Sequence, residues 1–131
     1  MLRRAGLDYW QLSRLTSHDS LEAFIQFLQN RDDQPRDEVR RRFVLTTRFA
    51  RISYADFSFR SDHILLFGKE TSGLPDSVRH TFSDLEKNWL RIPVHGDCRS
   101  LNLANSVSVI LFEALRQQGF PGLNLAPPAD T

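Results

Sequence analysis

Two glycines five residues apart bracket an acid in Gly68-Lys69-Glu70-Thr71-Ser72-Gly73-Leu74-Pro75, directly after the apolar run His63-Ile64-Leu65-Leu66-Phe67. Glycine permits close backbone approach and positive φ, so the N–H and C=O groups of such a loop can reach a ligand that side chains would fend off. Glu70 has two readings: it holds the loop by accepting backbone N–H bonds, or it lies beside a cationic or hydroxyl-bearing ligand. Gly73 reads as turn chemistry and Leu74 as a core anchor. The loop is not a phosphate-cradling P-loop, because the required Lys-Ser or Lys-Thr pair is absent.

A second group follows in Arg91-Ile92-Pro93 and, after the polar turn His95-Gly96-Asp97-Cys98, in Arg99-Ser100-Leu101-Asn102-Leu103-Ala104-Asn105. Pro93 lacks an N–H, so a strand through Ile92 stops there. Ser100 is predicted to cap a helix that Gly119 ends. The start of that helix offers spare N–H donors and a partial positive charge, suited to a carboxylate or phosphate, with Arg99 in support. The alternative is that Ser100 is only a cap and Arg99 only a surface charge. Asn102 and Asn105 fall on one helical face, where their amides need partners that bracing the neighbouring loops would supply. Two strand-ending loops and a helix start facing one another have the geometry of a small-molecule site.

The elements that must position these groups alternate. Residues 43–47, 63–67 and 90–94 are short apolar runs of the kind found in strands buried on both faces of a parallel sheet. A helix is expected over 76–84, and another through Leu21, Phe24, Ile25 and Leu28, capped by Asp19 with Glu22 three residues on and ending near Asn30. Residues 2–9 read as a helical turn or two, and 10–15 alternate as a half-buried strand would. Nine of the twelve residues from 31 to 42 are charged and Pro35 interrupts them, which predicts a solvated loop. Its closing Arg40, Arg41 and Arg42 form the most basic local patch, either a solvated turn or an RNA contact. The class is α/β.

The last helix carries no charge from Leu101 through Phe112. Leu101, Ala104, Val107 and Leu111 make one apolar stripe; Leu103, Ile110 and Ala114 make another. A helix apolar on more than one side is enclosed by protein. Its own sheet covers one stripe, and a second copy of the chain is the expected cover for the other, making a homodimer.

Composition bounds the rest. The 131 residues suit a single domain, 1–131. Seventeen Lys and Arg against sixteen Asp and Glu leave a net charge of +1, so any RNA contact must come from a local patch rather than a global field. Cys98 is the lone cysteine, which fits a reducing compartment and rules out an intrachain disulfide. No apolar run approaches a membrane span, and the first residues lack the apolar core of a secretory signal, so a cytoplasmic protein without membrane association is expected. The four histidines are scattered without ligand-like spacing, so no metal is expected.

The segments 67–75, 91–93 and 99–107 resemble the second and third signature motifs of the SPOUT class of RNA methyltransferases. Within that class, residues 2–9 and 116–122 are similar to the small enzymes that methylate the ribose 2′-hydroxyl of the tRNA wobble nucleotide. The likeness covers nearly the whole chain apart from 31–42. It implies a parallel sheet flanked by helices whose carboxyl-terminal third is threaded as a deep trefoil knot, a rare exception to unknotted chains. It further implies a homodimer, a tRNA substrate and an S-adenosyl-L-methionine site. Carried over position by position, the cofactor contacts fall on Leu45, Gly68, Ile92, Ser100 and Leu101. The reaction implied is transfer of the sulfonium methyl to a ribose oxygen, which needs alignment and removal of the hydroxyl proton.

The sequence also departs from the family pattern. Members carry a strand, an Asn- and Gly-containing turn, a helix with an Arg and another strand ahead of the segment matching 2–9, so the likeness is to an amino-terminally shortened form. That Arg is the family's candidate for activating the hydroxyl, and no catalytic residue is assigned in the present sequence. Cys98 and Ala104 replace a usual Ser, Ser72 a usual Arg and Phe112 a usual Tyr. The alternative function is therefore a noncatalytic dimeric relative that serves as an RNA-binding or assembly module.

Overall fold

The structure is a computed structural model that describes residues 14–96 and 101–129. The segment 2–9, most of the strand expected over 10–15, and Ser100 lie outside the described residues; Arg14 and Leu15 are exposed and in no strand. In chain order the described elements are α1 (Leu21–Asp32), α2 (Arg36–Arg40), β1 (Phe43–Thr46), β2 (Ile52–Ser53), β3 (Ile64–Leu66), α3 (Asp76–Thr81), β4 (Trp89–Arg91) and α4 (Leu103–Gln117). Single 3₁₀ segments, Tyr54–Asp56 and Ser83–Asn88, follow β2 and α3.

The four strands form one parallel sheet in the order β2-β4-β1-β3. Alternate side chains of a strand point to opposite faces, and both faces here are covered. Phe43, Leu45 and Trp89 join Ile25 and Leu28 of α1, Val39 of α2 and Phe82 in one core. Val44 and Leu90 join Phe59 and Ile110 of α4 in the other. The runs 43–47 and 63–67 hold the strands β1 and β3; the run 90–94 is only partly strand, since β4 starts at Trp89 and ends at Arg91, before Ile92 and Pro93, and the α/β expectation matches this parallel sheet flanked by helices.

Three local expectations are corrected. Helix α1 starts one residue later than the Asp19 cap implies: Ser20 is the cap, its hydroxyl accepting from the Ala23 N–H at 3.0 Å. That shift takes Glu22 out of a capping box and leaves it to pair with Arg36. The helix expected over 76–84 ends at Thr81 and gives way to the 3₁₀ segment. The charged stretch 31–42 is not simply a solvated loop, because it holds α2 and buries Val39 completely.

The same stretch owes its order to its charges. Arg40 is 13% exposed and donates to Asp37, Asp84 and the Thr81 carbonyl. Arg42, 12% exposed, donates to Asp32, Gln34 and the Asp62 carbonyl. These contacts raise the Arg40 pKa above its ordinary value and hold the Asp84 carboxyl down to about 2. Two of the three arginines of the basic patch are therefore clamps between elements, each satisfied within the chain.

Candidate functional site

The carboxyl ends of β1, β3 and β4 open into one cleft of about 720 Å³, within the range usual for small-molecule sites. Its walls come from the segment 46–49 after β1, the loop 67–74 after β3, residues 91–94 after β4, and the start of α4. Gly68, Ile92 and Leu101 all line it, so the two sequence groups that predict a site meet. Leu45 does not: it is wholly buried in the core facing α1, and Thr46, the next residue, lines the cleft instead. Thr46, Thr47, Arg48 and Phe49 are the lining residues that motif spacing misses. The signal that finds them is positional, since ligands of parallel sheets gather beyond the carboxyl ends of the strands.

The glycine loop closes on itself. Lys69 and Gly73 form an antiparallel bridge, with N–H···O distances of 3.3 and 2.9 Å, and Gly73 takes φ +68° to complete the turn. A Cβ on Gly68 would lie 2.1 Å from the Gly73 carbonyl carbon and 2.2 Å from the Leu74 nitrogen. Gly68 is therefore required by the returning strand of its own loop. Leu74, 8% exposed, anchors that return in the core as its type predicts.

Helix α4 meets this loop through its first turn. Its cap is Asn102 rather than Ser100: the Asn102 Oδ1 accepts from the Ala104 and Asn105 N–H groups at 2.8 and 3.3 Å. The Leu103 N–H donates to Glu70 Oε1 at 3.4 Å. Of the two readings of Glu70, the loop-holding one matches this contact. These bonds also correct the picture of a helix start with spare donors, since three of its N–H groups already have acceptors within the chain.

At its other end α4 closes with a Schellman pair, Phe120 N–H to Leu115 O at 2.8 Å and Gly119 N–H to Arg116 O at 3.1 Å, with Gly119 at φ +79°. Gln117 fastens the helix to the segment before β3. Its Nε2 donates to the Phe57 carbonyl and to Glu113 Oε2, and its Oε1 accepts from the Phe59 N–H, all at 2.8 Å. Glu113 also accepts from Arg116, and these two donors bring its pKa down to about 2.

The surface of the cleft is polar at the loop and apolar at Phe67, Ile92 and Leu103. Thr46 Oγ1 is buried in its wall without a hydrogen-bond partner among the described residues. Among the described residues no group of three or more His, Cys, Asp or Glu is placed to hold a metal ion.

Comparison with known proteins gives the architecture a relationship. Residues 1–112 match the model of the SpoU rRNA Methylase family. The tRNA (cytidine(34)-2′-O)-methyltransferase of Yersinia pestis is 40% identical over 121 residues, covering 92% of this chain and 70% of that protein. A solved structure described as giving structural insights into the 2-OH methylation of C/U34 on tRNA superposes with TM-score 0.69 at 38% identity, over 90% of this chain and 68% of that one. The SpoU methyltransferase AviRb from Streptomyces viridochromogenes, solved with the cofactor AdoMet, superposes with TM-score 0.56 at 30% identity, over 76% of this chain and 36% of that one. A family match over most of the sequence, a relative covered along most of its length and a shared parallel-sheet fold agree: the chain belongs to the SpoU rRNA Methylase family.

Proposed function

We propose that this protein transfers a methyl group from S-adenosyl-L-methionine to the ribose 2′-hydroxyl of a tRNA nucleotide, the wobble nucleotide, as the names of its relatives suggest. The observation that carries the reading is the convergence of Gly68, Ile92 and Leu101 on one cleft at the carboxyl edge of the sheet.

The cleft fits the cofactor chemically. An adenosine needs an apolar slot edged by backbone donors and acceptors, which Ile92, Leu101 and the 67–74 loop provide. The proposed contacts are Gly68, Ile92 and Leu101; Leu45 drops out of the set, and Ser100, which the family resemblance implies, lies outside the described residues. When bound, the cofactor supplies an electrophilic methyl group. The chain's part is to hold the loop to the start of α4 through Glu70, with Asn102 capping that helix start, so that a ribose oxygen can approach in line while its proton departs.

We propose also that the protein works as a homodimer, threads its carboxyl-terminal third through a knot and acts in the cytoplasm as a single domain. The dimer is supported by α4: Ile110 is wholly buried on the sheet, whereas Leu111 and Phe112 are 39% and 54% exposed. The exposed stripe is the one a second copy would cover. No helix of the described residues is long and apolar enough to cross a membrane.

The test is incubation with tRNA and methyl-labelled S-adenosyl-L-methionine, followed by nuclease digestion and mass spectrometry of the nucleosides. A 2′-O-methylated wobble nucleoside is expected. Cofactor binding with no transfer to any tRNA would replace this reading by the noncatalytic one.

A further inference from the structure

Phe49 stands at the rim of the cleft, 51% exposed, with two guanidinium groups on its ring: Arg79 at 4.1 Å and Arg48 at 5.0 Å from the centroid. A singly exposed aromatic residue is ordinary. This one differs because its ring is held from two elements, the segment after β1 and α3, and because it borders the proposed methyl-transfer site. Arg79 is itself fixed by Asp76 and only 22% exposed, so the platform is braced from within the fold.

The distribution of cations points the same way. Arg36, Arg40, Arg42, Arg60 and Arg116 are each engaged by an acid. Arg41, Arg51, Lys87, Lys69, Arg91 and Arg48 have no ion-pair partner among the described residues, and of these Lys69, Arg91 and Arg48 line the cleft around Phe49. Unpaired cations flanking an exposed ring suit a ligand with phosphates and a π-face, as in single-stranded nucleic acid, whose bases stack on aromatic rings while Lys and Arg meet the backbone.

We propose that Phe49, braced by Arg48 and Arg79, is a stacking platform for a nucleobase of the substrate RNA next to the ribose presented to the cleft, with Lys69 and Arg91 meeting the adjoining phosphates. This rests on the proposed tRNA reading and adds how the RNA is held.

The experiment titrates a fluorescein-labelled tRNA anticodon stem-loop into the full chain, Phe49→Ala and Phe49→Trp by anisotropy, with S-adenosylhomocysteine calorimetry on the same samples. Phe49→Ala is expected to weaken RNA binding roughly five- to hundredfold, Phe49→Trp to retain it with quenching of the added indole, and the loss of RNA affinity in Phe49→Ala to persist when the cofactor site is saturated with S-adenosylhomocysteine, whatever small change the cleft wall imposes on that ligand. Equal RNA affinity in Phe49→Ala would overturn the platform while leaving the methyltransferase reading intact. A fall in S-adenosylhomocysteine affinity as large as the fall in RNA affinity, with RNA binding restored at saturating S-adenosylhomocysteine, would make Phe49 a cofactor contact only and overturn the platform too. If the unsubstituted protein binds S-adenosylhomocysteine but no stem-loop, both the platform and the tRNA reading fail. RNA binding that depends on Phe49 without methyl transfer would support the platform and remove the enzymatic reading.

Discussion

At Gly68 the demand for glycine comes from the protein itself. The Cβ of any other residue would collide with the backbone of Gly73 and Leu74, and no rotamer can relieve a backbone contact of 2.1 Å. Gly68→Ala must therefore push the returning half of the loop away and deform the cleft. Calorimetry should show S-adenosylhomocysteine affinity falling at least tenfold, with Gly73→Ala milder in stability at about 1 kcal/mol for its left-handed φ. Normal affinity in Gly68→Ala would show that the loop does not shape the pocket. The sequence makes this position legible because a glycine after a buried strand has few other uses, but not the reason, since the returning backbone is invisible until the turn is built. Glu70 is similar: an acid between two glycines suggests a role, and only the position of the Leu103 N–H selects loop-holding.

At the scale of elements, α4 is the piece on which the site depends, and its two ends were unequally readable. Gly119 followed by a chain reversal is a strong stop signal, and the Schellman bonds match it. The start is harder because Ser100, Asn102 and Asn105 all have capping side chains, and the choice falls to where the chain leaves the turn. Asn102→Ala should cost about 0.5–2 kcal/mol in urea unfolding, through the two N–H groups it would orphan. Near the other end, Glu113 is held at about 2 against an ordinary 4.5. As pH falls, the unfolded chain takes up that proton first, so the contribution of Glu113 is full above pH 4.5 and is lost toward pH 2. Across that window the melting temperature of the native protein should drop further than that of Glu113→Gln; parallel curves would mean the carboxylate adds nothing. The two-residue strand β2 and the 3₁₀ segments left no periodicity to find. Val39 was hidden by its charged neighbours, whose ion pairs let a polar stretch bury one apolar side chain.

For the whole molecule, the parallel order β2-β4-β1-β3 brings three strand ends to one edge, and the cleft is a consequence of that order. The apolar runs predicted the strands because both faces of the sheet are covered, but run length alone cannot give strand order. The exposed stripe of α4 belongs at this scale as well. Leu111→Asp should leave the fold intact, since Ile110 makes the contact with the sheet, and should shift the sedimentation of a dimer to that of a monomer. A variant that sediments unchanged would place the interface elsewhere.

The central claim is that the cleft bounded by Gly68, Ile92 and the start of α4 holds the methyl donor, and calorimetric titration of the protein with S-adenosylhomocysteine tests it most directly. Saturable binding at one site per chain, competed by S-adenosyl-L-methionine and lost in Gly68→Ala, is predicted. Absence of binding, or binding that Gly68→Ala leaves untouched, would contradict it.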